Sequence, residues 1–264
     1  MKILFFGDII GKIGRKAIKK NLPELKKEFK PDLIIANVEN LAHGIGVTKK
    51  TLQELTESGI DFFTSGNHIF KKPEAKIILN EKNSNLIRPA NYPDNHPGNG
   101  AKIFEIGSKS VLIINLIGRV FMKDQVGCPF KKIDQILERF DLTKISAIII
   151  DFHAEATSEK QALGWYVNGR VSALFGTHTH VPTADSKILN NGTAFITDVG
   201  MVGAFESVIG DKIEPIVKSF LTETNPKIEI PKEGLVQINA VLAEIDGKTK
   251  KAVNLKRVDK IIKV

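Results

Sequence analysis

Cysteine is almost absent from this sequence. Cys128 is the only one, which excludes an intrachain disulfide and a thiolate cage around a metal and agrees with a reducing compartment. Cys128 itself reads as a small loop side chain without a role. Long apolar runs are also missing: the longest stretches, Ile145 to Ile150 and Val111 to Ile114, are strand length and far short of a bilayer span. After Met1-Lys2 the run Ile3 to Phe6 stops at Gly7-Asp8, too short for the core of a signal peptide and without a cleavage pattern. The expectation is a soluble, cytoplasmic protein with no membrane partner. Internal repeats, low-complexity tracts and linkers are absent as well. The 264 residues are therefore read as one domain, 1–264, able to bury a large core.

What is abundant is positive charge. The formal net charge is +8, which points to acidic partners without naming one. Much of the excess lies in Arg15 to Lys30, where lysines alternate with Ile18, Leu22, Leu25 and Phe29, the spacing of a helix with one solvated face. Dedicated nucleic-acid modules add aromatic platforms or a fold signature, and neither is visible. The charge is better suited to drawing in a phosphate-bearing substrate.

The chain reads as alternating strands and helices. A buried strand Lys2 to Phe6 leads through Gly7-Asp8-Ile9-Ile10-Gly11-Lys12-Ile13-Gly14 into a helix from about Arg15. That turn lacks the dinucleotide-binding spacing, and Asp8 would repel a bare phosphate. Asp8 makes sense as a cation ligand, or as an acid at a helix N-terminus. A strand over 32–38 delivers Glu39-Asn40, a helix capped by Thr48 runs to Gly59, and a short strand over 61–64 delivers Asn67-His68. A helix near Pro73 to Asn80 precedes a proline-rich loop over 88–100, either a wall of the site or a surface connection. A hairpin over 101–106 and 110–115 and a helix over 132–140 lead to the strand 145–150, which delivers Asp151-Phe152-His153. After a helix through Leu163, the strand 171–175 ends in Gly176-Thr177-His178-Thr179-His180. A hairpin turns at Asn190-Asn191-Gly192. A helix near 213–221 and strands over 227–230, 235–245 and 250–258 complete the chain. Two β-rich stretches with helices outside them predict two packed sheets covered on both faces.

Seven candidate ligands thus stand at strand ends: Asp8, Glu39, Asn40, Asn67, His153, His178 and His180. In an extended segment residues i and i+2 face the same way, which aims His178 and His180 at one place. Oxygen and nitrogen donors without thiolate suit Mn, Fe or Zn. Seven exceed what one ion needs, so two ions about 3.5–4 Å apart sharing a carboxylate are the economical solution. Two divalent ions outweigh Asp8, Glu39 and a bridging hydroxide by one positive charge, so such a centre attracts a phosphate monoanion. The expected reaction is in-line attack of that hydroxide on phosphorus, with His68, which follows Asn67 but faces the other way in an extended segment, as general acid for the leaving alkoxide. Asp151 and Asp198 either orient a ligand imidazole or make plain structural contacts.

Taken in order, Gly7-Asp8, Glu39-Asn40, Gly66-Asn67-His68, His153 and Gly176-Thr177-His178-Thr179-His180 resemble the signature of calcineurin-like metallophosphoesterases. The stretches 151–160 and 162–166 resemble, more narrowly, the YmdB-type branch of bacterial phosphodiesterases. Ile10 stands where the broad superfamily carries His, and Glu39 where it carries a bridging Asp; both departures match that branch. The resemblance implies a four-layer αββα sandwich of two mixed β-sheets flanked by helices and a di-iron or manganese centre. One metal would take Asp8, Glu39, Asn40 and His180, the other Glu39, Asn67, His153 and His178, with His68 as the acid. It implies hydrolysis of cyclic nucleotides, 2',3'-cyclic AMP foremost. Two other readings stay open: a metal-dependent phosphomonoesterase, and a regulatory protein that binds a nucleotide or an RNA end with little turnover. The sequence leaves a homo-oligomer open.

Overall fold

A computed structural model of the chain describes residues 1–225 and 229–264. The expected alternation opens it. β1 (Lys2–Ile9), α1 (Gly11–Phe29), β2 (Leu33–Asn37), α2 (Lys49–Ser58) and β3 (Phe62–Thr64) follow one another. The helical crossovers return the chain to the same edge, so β1, β2 and β3 pair in parallel. α1 starts four residues before the expected Arg15, because the Gly14 amide already donates to the Ile10 carbonyl at 3.0 Å. Thr48 caps α2 as expected: its hydroxyl accepts from the Thr51 amide, and the Thr51 hydroxyl accepts from the Thr48 amide.

After α3 (Pro73–Asn80) the chain makes the hairpin β4 (Ala101–Ile106) and β5 (Lys109–Ile117), then α4 (Pro129–Arg139), β6 (Ala147–His153), α5 (Thr157–Tyr166) and β7 (Ala173–Thr177). β8 (Lys187–Ile188) and β9 (Ala194–Ile196) form the hairpin predicted around Asn191, and β10 (Met201–Ala204), α6 (Ile213–Thr222), β11 (Leu235–Ile245) and β12 (Ala252–Lys263) complete the chain. β10 has no sequence counterpart in the prediction, being four residues long and preceded by Gly200. Half of the strand expected over 227–230 lies outside the described residues, and Glu229 and Ile230 carry no strand.

The first sheet runs β12-β11-β10-β1-β2-β3, the second β4-β5-β6-β7-β9-β8. Side-chain alternation sorts their residues into three apolar slabs. Leu4, Phe6, Ile34 and Ala36 pack outward against Ile13, Leu22 and Leu25 of α1, Leu55 of α2 and Ile78 of α3. Ile3, Phe5, Leu33 and Ile35 face inward onto Val111, Ile113, Ile149 and Phe175 of the second sheet, with the Phe5 and Phe175 rings 5.2 Å apart. Leu112, Ile114, Ile148 and Ile150 face out under Ile133 and Leu137 of α4 and Leu163 of α5. Each fully buried side chain of this kind contributes about 1.5–3 kcal/mol. The result is the predicted αββα sandwich.

β1 changes partner midway. Lys2 to Phe6 pair antiparallel with β11, whereas Asp8 and Ile9 pair in parallel with β10. Gly7 stands at the switch, where a Cβ would lie 2.0 Å from the Gly200 carbonyl oxygen. The 88–100 loop is a braced connection rather than a wall. The buried Arg88 guanidinium donates to the carbonyls of Pro89, His96 and Pro97, and the cavities around the strand ends are lined by other segments. Among the described residues no helix is long and apolar enough to cross a membrane.

Candidate metal centre

The carboxyl ends of β1, β2 and β3 meet those of β6 and β7 at one edge of the sandwich, and all eight residues singled out in the sequence converge there. Asp8, the penultimate residue of β1, is fully buried. Its Oδ2 accepts from the His178 amide at 3.1 Å. Its Oδ1 has no hydrogen-bond partner among the described residues and lies 3.8 Å from His180 Nε2 and 4.0 Å from His153 Nδ1. Burial pushes the Asp8 carboxyl above its usual range, against the pull of His180 and His153.

Glu39 follows β2 and occupies the centre. Its Oε2 is 3.1 Å from His153 Nε2 and accepts from the His68 amide at 3.1 Å; its Oε1 accepts from Asn40 Nδ2 and lies 3.2 Å from His68 Nδ1. Burial alone would raise this carboxyl, yet His153 and His68 hold it well below the usual range. Asn40 turns its NH2 toward Glu39 and toward His180 Nε2, 3.1 Å away, while its Oδ1 accepts from His68 Nδ1 at 2.8 Å. After β3, Gly66 lets the chain pass through the cluster: a Cβ there would stand 2.3 Å from both Glu39 Oε2 and His153 Nε2. Asn67 Oδ1 lies 3.1 Å from His153 Nε2. His68 is not extended as predicted; it starts a single 3-10 turn at φ −89 and ψ 0, which brings its ring to Asn40 and Glu39.

On the other sheet, His153 is the last residue of β6 and fully buried. Thr177 Oγ1 donates to Asp151 Oδ1 at 2.7 Å and therefore accepts from His153 Nδ1 at 2.9 Å. That fixes one proton on Nδ1 and points Nε2 toward Glu39, Asn67 and His178. Asp151 thus orients His153 through Thr177 rather than directly, and Asn37 and Thr64 of the first sheet also donate to it. Burial pushes Asp151 up to about 6.

His178 and His180 converge by a route that alternation does not predict. β7 ends at Thr177, and both histidines adopt left-handed backbone, at φ 102 and φ 65. Between them Thr179 is pinned: its amide and hydroxyl donate to Asp198 Oδ2, which also takes a 2.7 Å hydrogen bond from the buried Lys160 ammonium. Asp198 therefore holds the loop and not an imidazole. His178 Nε2 faces Glu155 Oε2 at 3.1 Å, leaving Nδ1 3.0 Å from His153 Nε2. Burial, reinforced by His153, pushes this ring down to about 3, so it is neutral at neutral pH. His180 Nδ1 donates to the Ile209 carbonyl at 2.7 Å, leaving Nε2 on the Asp8 side. Thr177, Glu155 and the Ile209 carbonyl escaped the sequence reading. Glu155, two residues after His153, carried the one signal that could have marked it.

Two groups in this cluster could hold a metal ion: Glu39, His153 and His178, and Asp8, Glu39 and His180, the donor atoms of each group lying within 4.8 Å of one another. They share Glu39. The residues fit a cation on three counts: an orphaned buried carboxylate oxygen, one nitrogen of each of three rings turned inward by the partner of the other nitrogen, and a glycine where any side chain would fill the gap.

The profile of the YmdB-like protein family matches residues 4–258. The chain is 45% identical over 258 residues to a 2',3'-cyclic-nucleotide 2'-phosphodiesterase of Bacillus subtilis, covering 98% of this chain and 96% of that protein. Among solved structures it is similar to a phosphatase from Mycoplasma pneumoniae, with 38% identity, a TM-score of 0.92 and coverage of 99% of this chain and 93% of the other. A hypothetical protein from Thermus thermophilus is likewise similar, with 36% identity, a TM-score of 0.91 and coverage of 99% of both chains. From the first strand to the last, then, this chain belongs to the YmdB-like protein family.

Proposed function

We propose that the chain is a metal-dependent phosphodiesterase for small phosphodiesters, 2',3'-cyclic nucleotides being the substrate class. The observation that carries this reading is the pair of donor groups sharing Glu39. The relative named as a 2',3'-cyclic-nucleotide 2'-phosphodiesterase, alike over 98% of this chain, supports it. We assign two divalent ions, iron or manganese, with zinc chemically compatible. Asp8, Glu39, Asn40 and His180 would hold one; Glu39, Asn67, His153 and His178 the other. Asn40 offers its Oδ1 to a cation with its amide turned over from the orientation it has against Glu39 and His180. Bound there, divalent ions lower the pKa of water and offset the charge on phosphoryl oxygens.

The chain's own residues supply the rest. Thr177, Glu155 and the Ile209 carbonyl fix the protons of His153, His178 and His180 on the nitrogens away from the centre. His68 lines both cavities beside the cluster with Nδ1 tied to Asn40. Its Nε2 is the atom we assign to protonate the leaving alkoxide. We place the activity in the cytoplasm and in a single domain.

The test is hydrolysis of a chromogenic phosphodiester by purified protein, stripped with chelator and then resupplied with manganese or ferrous iron. Activity that vanishes and returns is expected. A folded, metal-loaded protein without diesterase activity would overturn the reading, and faster turnover of monoesters than of diesters would replace it with a phosphomonoesterase.

A further inference from the structure

The segment 118–128 between β5 and α4 is braced at both ends. The Arg119 amide donates to both carboxylate oxygens of Glu159 at 3.1 and 3.0 Å, and the Val120 amide to Oε2 at 3.1 Å. Glu159, on α5, is itself buried. At the far end the Gly127 amide donates to the Asn91 carbonyl at 2.7 Å, Asn91 Nδ2 to the Gly127 carbonyl at 2.9 Å, and the Tyr92 hydroxyl to Asp124 Oδ1 at 2.8 Å. Between these anchors stands Phe121. It is 84% exposed and sits at φ 62, a backbone conformation that a bulky side chain seldom adopts. So exposed a ring adds nothing to the core, and its own packing does not hold it in place. It lines a cavity of about 540 Å³ whose other walls include Asn67, His68 and His178, with Lys71 and Lys123 beside it.

We propose that Phe121 is a platform on which the nucleobase of the substrate stacks, making it the residue that positions nucleotides over simpler phosphodiesters at this site. This deepens the phosphodiesterase reading and rests on it. A phosphate group alone does not need a cavity of this size or an aromatic wall. An exposed ring held on a rigid support offers a flat apolar face at little entropic cost, and every nucleobase has a face to match it. Lys71 and Lys123 add positive charge at the same mouth, suited to an anionic ligand. The strained backbone and the buried carboxylate that braces it are the features expected where position, rather than stability, is maintained.

The test is calorimetric titration of the whole protein with two probes, adenosine 3'-monophosphate and ribose 5-phosphate. Phe121→Gly removes the ring and suits the left-handed backbone, so the loop keeps its course. It is expected to weaken the nucleotide by roughly ten- to hundred-fold and the sugar phosphate by less than about two-fold, while Phe121→Trp retains nucleotide affinity. In turnover of 2',3'-cyclic AMP, KM should rise by a similar factor with a much smaller change in kcat. Equal nucleotide affinity with and without the ring, or equal loss of both probes, would overturn the platform. Ring-dependent nucleotide binding in a protein that hydrolyses no diester would overturn the phosphodiesterase reading and leave the platform standing.

Discussion

The two sheets bring unlike chemistry to the same edge. The first supplies acids and amides, Asp8, Glu39, Asn40 and Asn67; the second supplies the imidazoles of His153, His178 and His180. Apart, each half is electrostatically awkward. Asp8 and Glu39 are buried where a lone carboxylate would lose its charge, and Glu39 keeps it chiefly through His153 across the seam. His153 is the mirror case: burial acts to lower it, but Glu39 foremost, then Asp8 and Asp151, push it up to about 9. His68, the ring of the cluster that follows a strand of the first sheet, is the most exposed of the four and the one assigned to move a proton. Buried acids facing a buried ring and two partly exposed ones become coherent when cations sit between them.

That contrast can be broken most severely at the seam itself. Gly66→Ala would drive a methyl group to 2.3 Å from a carboxylate of one half and a ring of the other. Metal content and diesterase activity should fall to background, at a stability cost of only about 1–3 kcal/mol, which metal analysis and urea unfolding separate. Thr177→Val is subtler, because it removes the hydroxyl that passes Asp151's influence to His153 while keeping the shape. Metal affinity should drop roughly 10–100-fold, read by competition with a chromogenic chelator. A variant that binds metal as tightly as the parent would show that the relay does not tune the ring. The mildest perturbation needs no mutation. With its value raised to about 9, His153 carries a proton at neutral pH in the absence of a cation, and metal must displace it. Apparent affinity should therefore rise by roughly ten-fold per pH unit up to about pH 9 and flatten above it. Titrations at several pH values check the slope, and an affinity independent of pH would rule out this proton as the competitor.

The positions of the candidate donors were legible in the sequence because strand ends are. Apolar runs stopped by Gly7-Asp8, by Glu39-Asn40 and by Gly66-Asn67 located three of them, and the parallel order of the strands gathered them. How the side chains turn was not legible. His178 and His180 meet through two left-handed residues that no alternation rule reports, held by a Thr179–Asp198–Lys160 chain assembled from three separate elements. Asp151 could be placed on the face of His153, yet its partners Asn37, Thr64 and Thr177 come from three other strands. β10 was missed because four residues after a glycine carry no periodicity. Phe121 drew no notice at all, since an isolated aromatic in a loop acquires meaning only from what lies across the cavity.

The hydrogen bonds that Asn37 and Thr64 send to Asp151, with the Ser65 amide donating to Asn115 Oδ1 at 3.0 Å, have a consequence for how the chain folds. The slab between the sheets is otherwise greasy and would tolerate sliding; these polar ties near one edge allow a single register. Because the donors are divided between the two sheets, neither sheet alone can assemble the full set. Docking of sheet on sheet is therefore the event that completes the site, so loading with metal would report that the two halves have met in register.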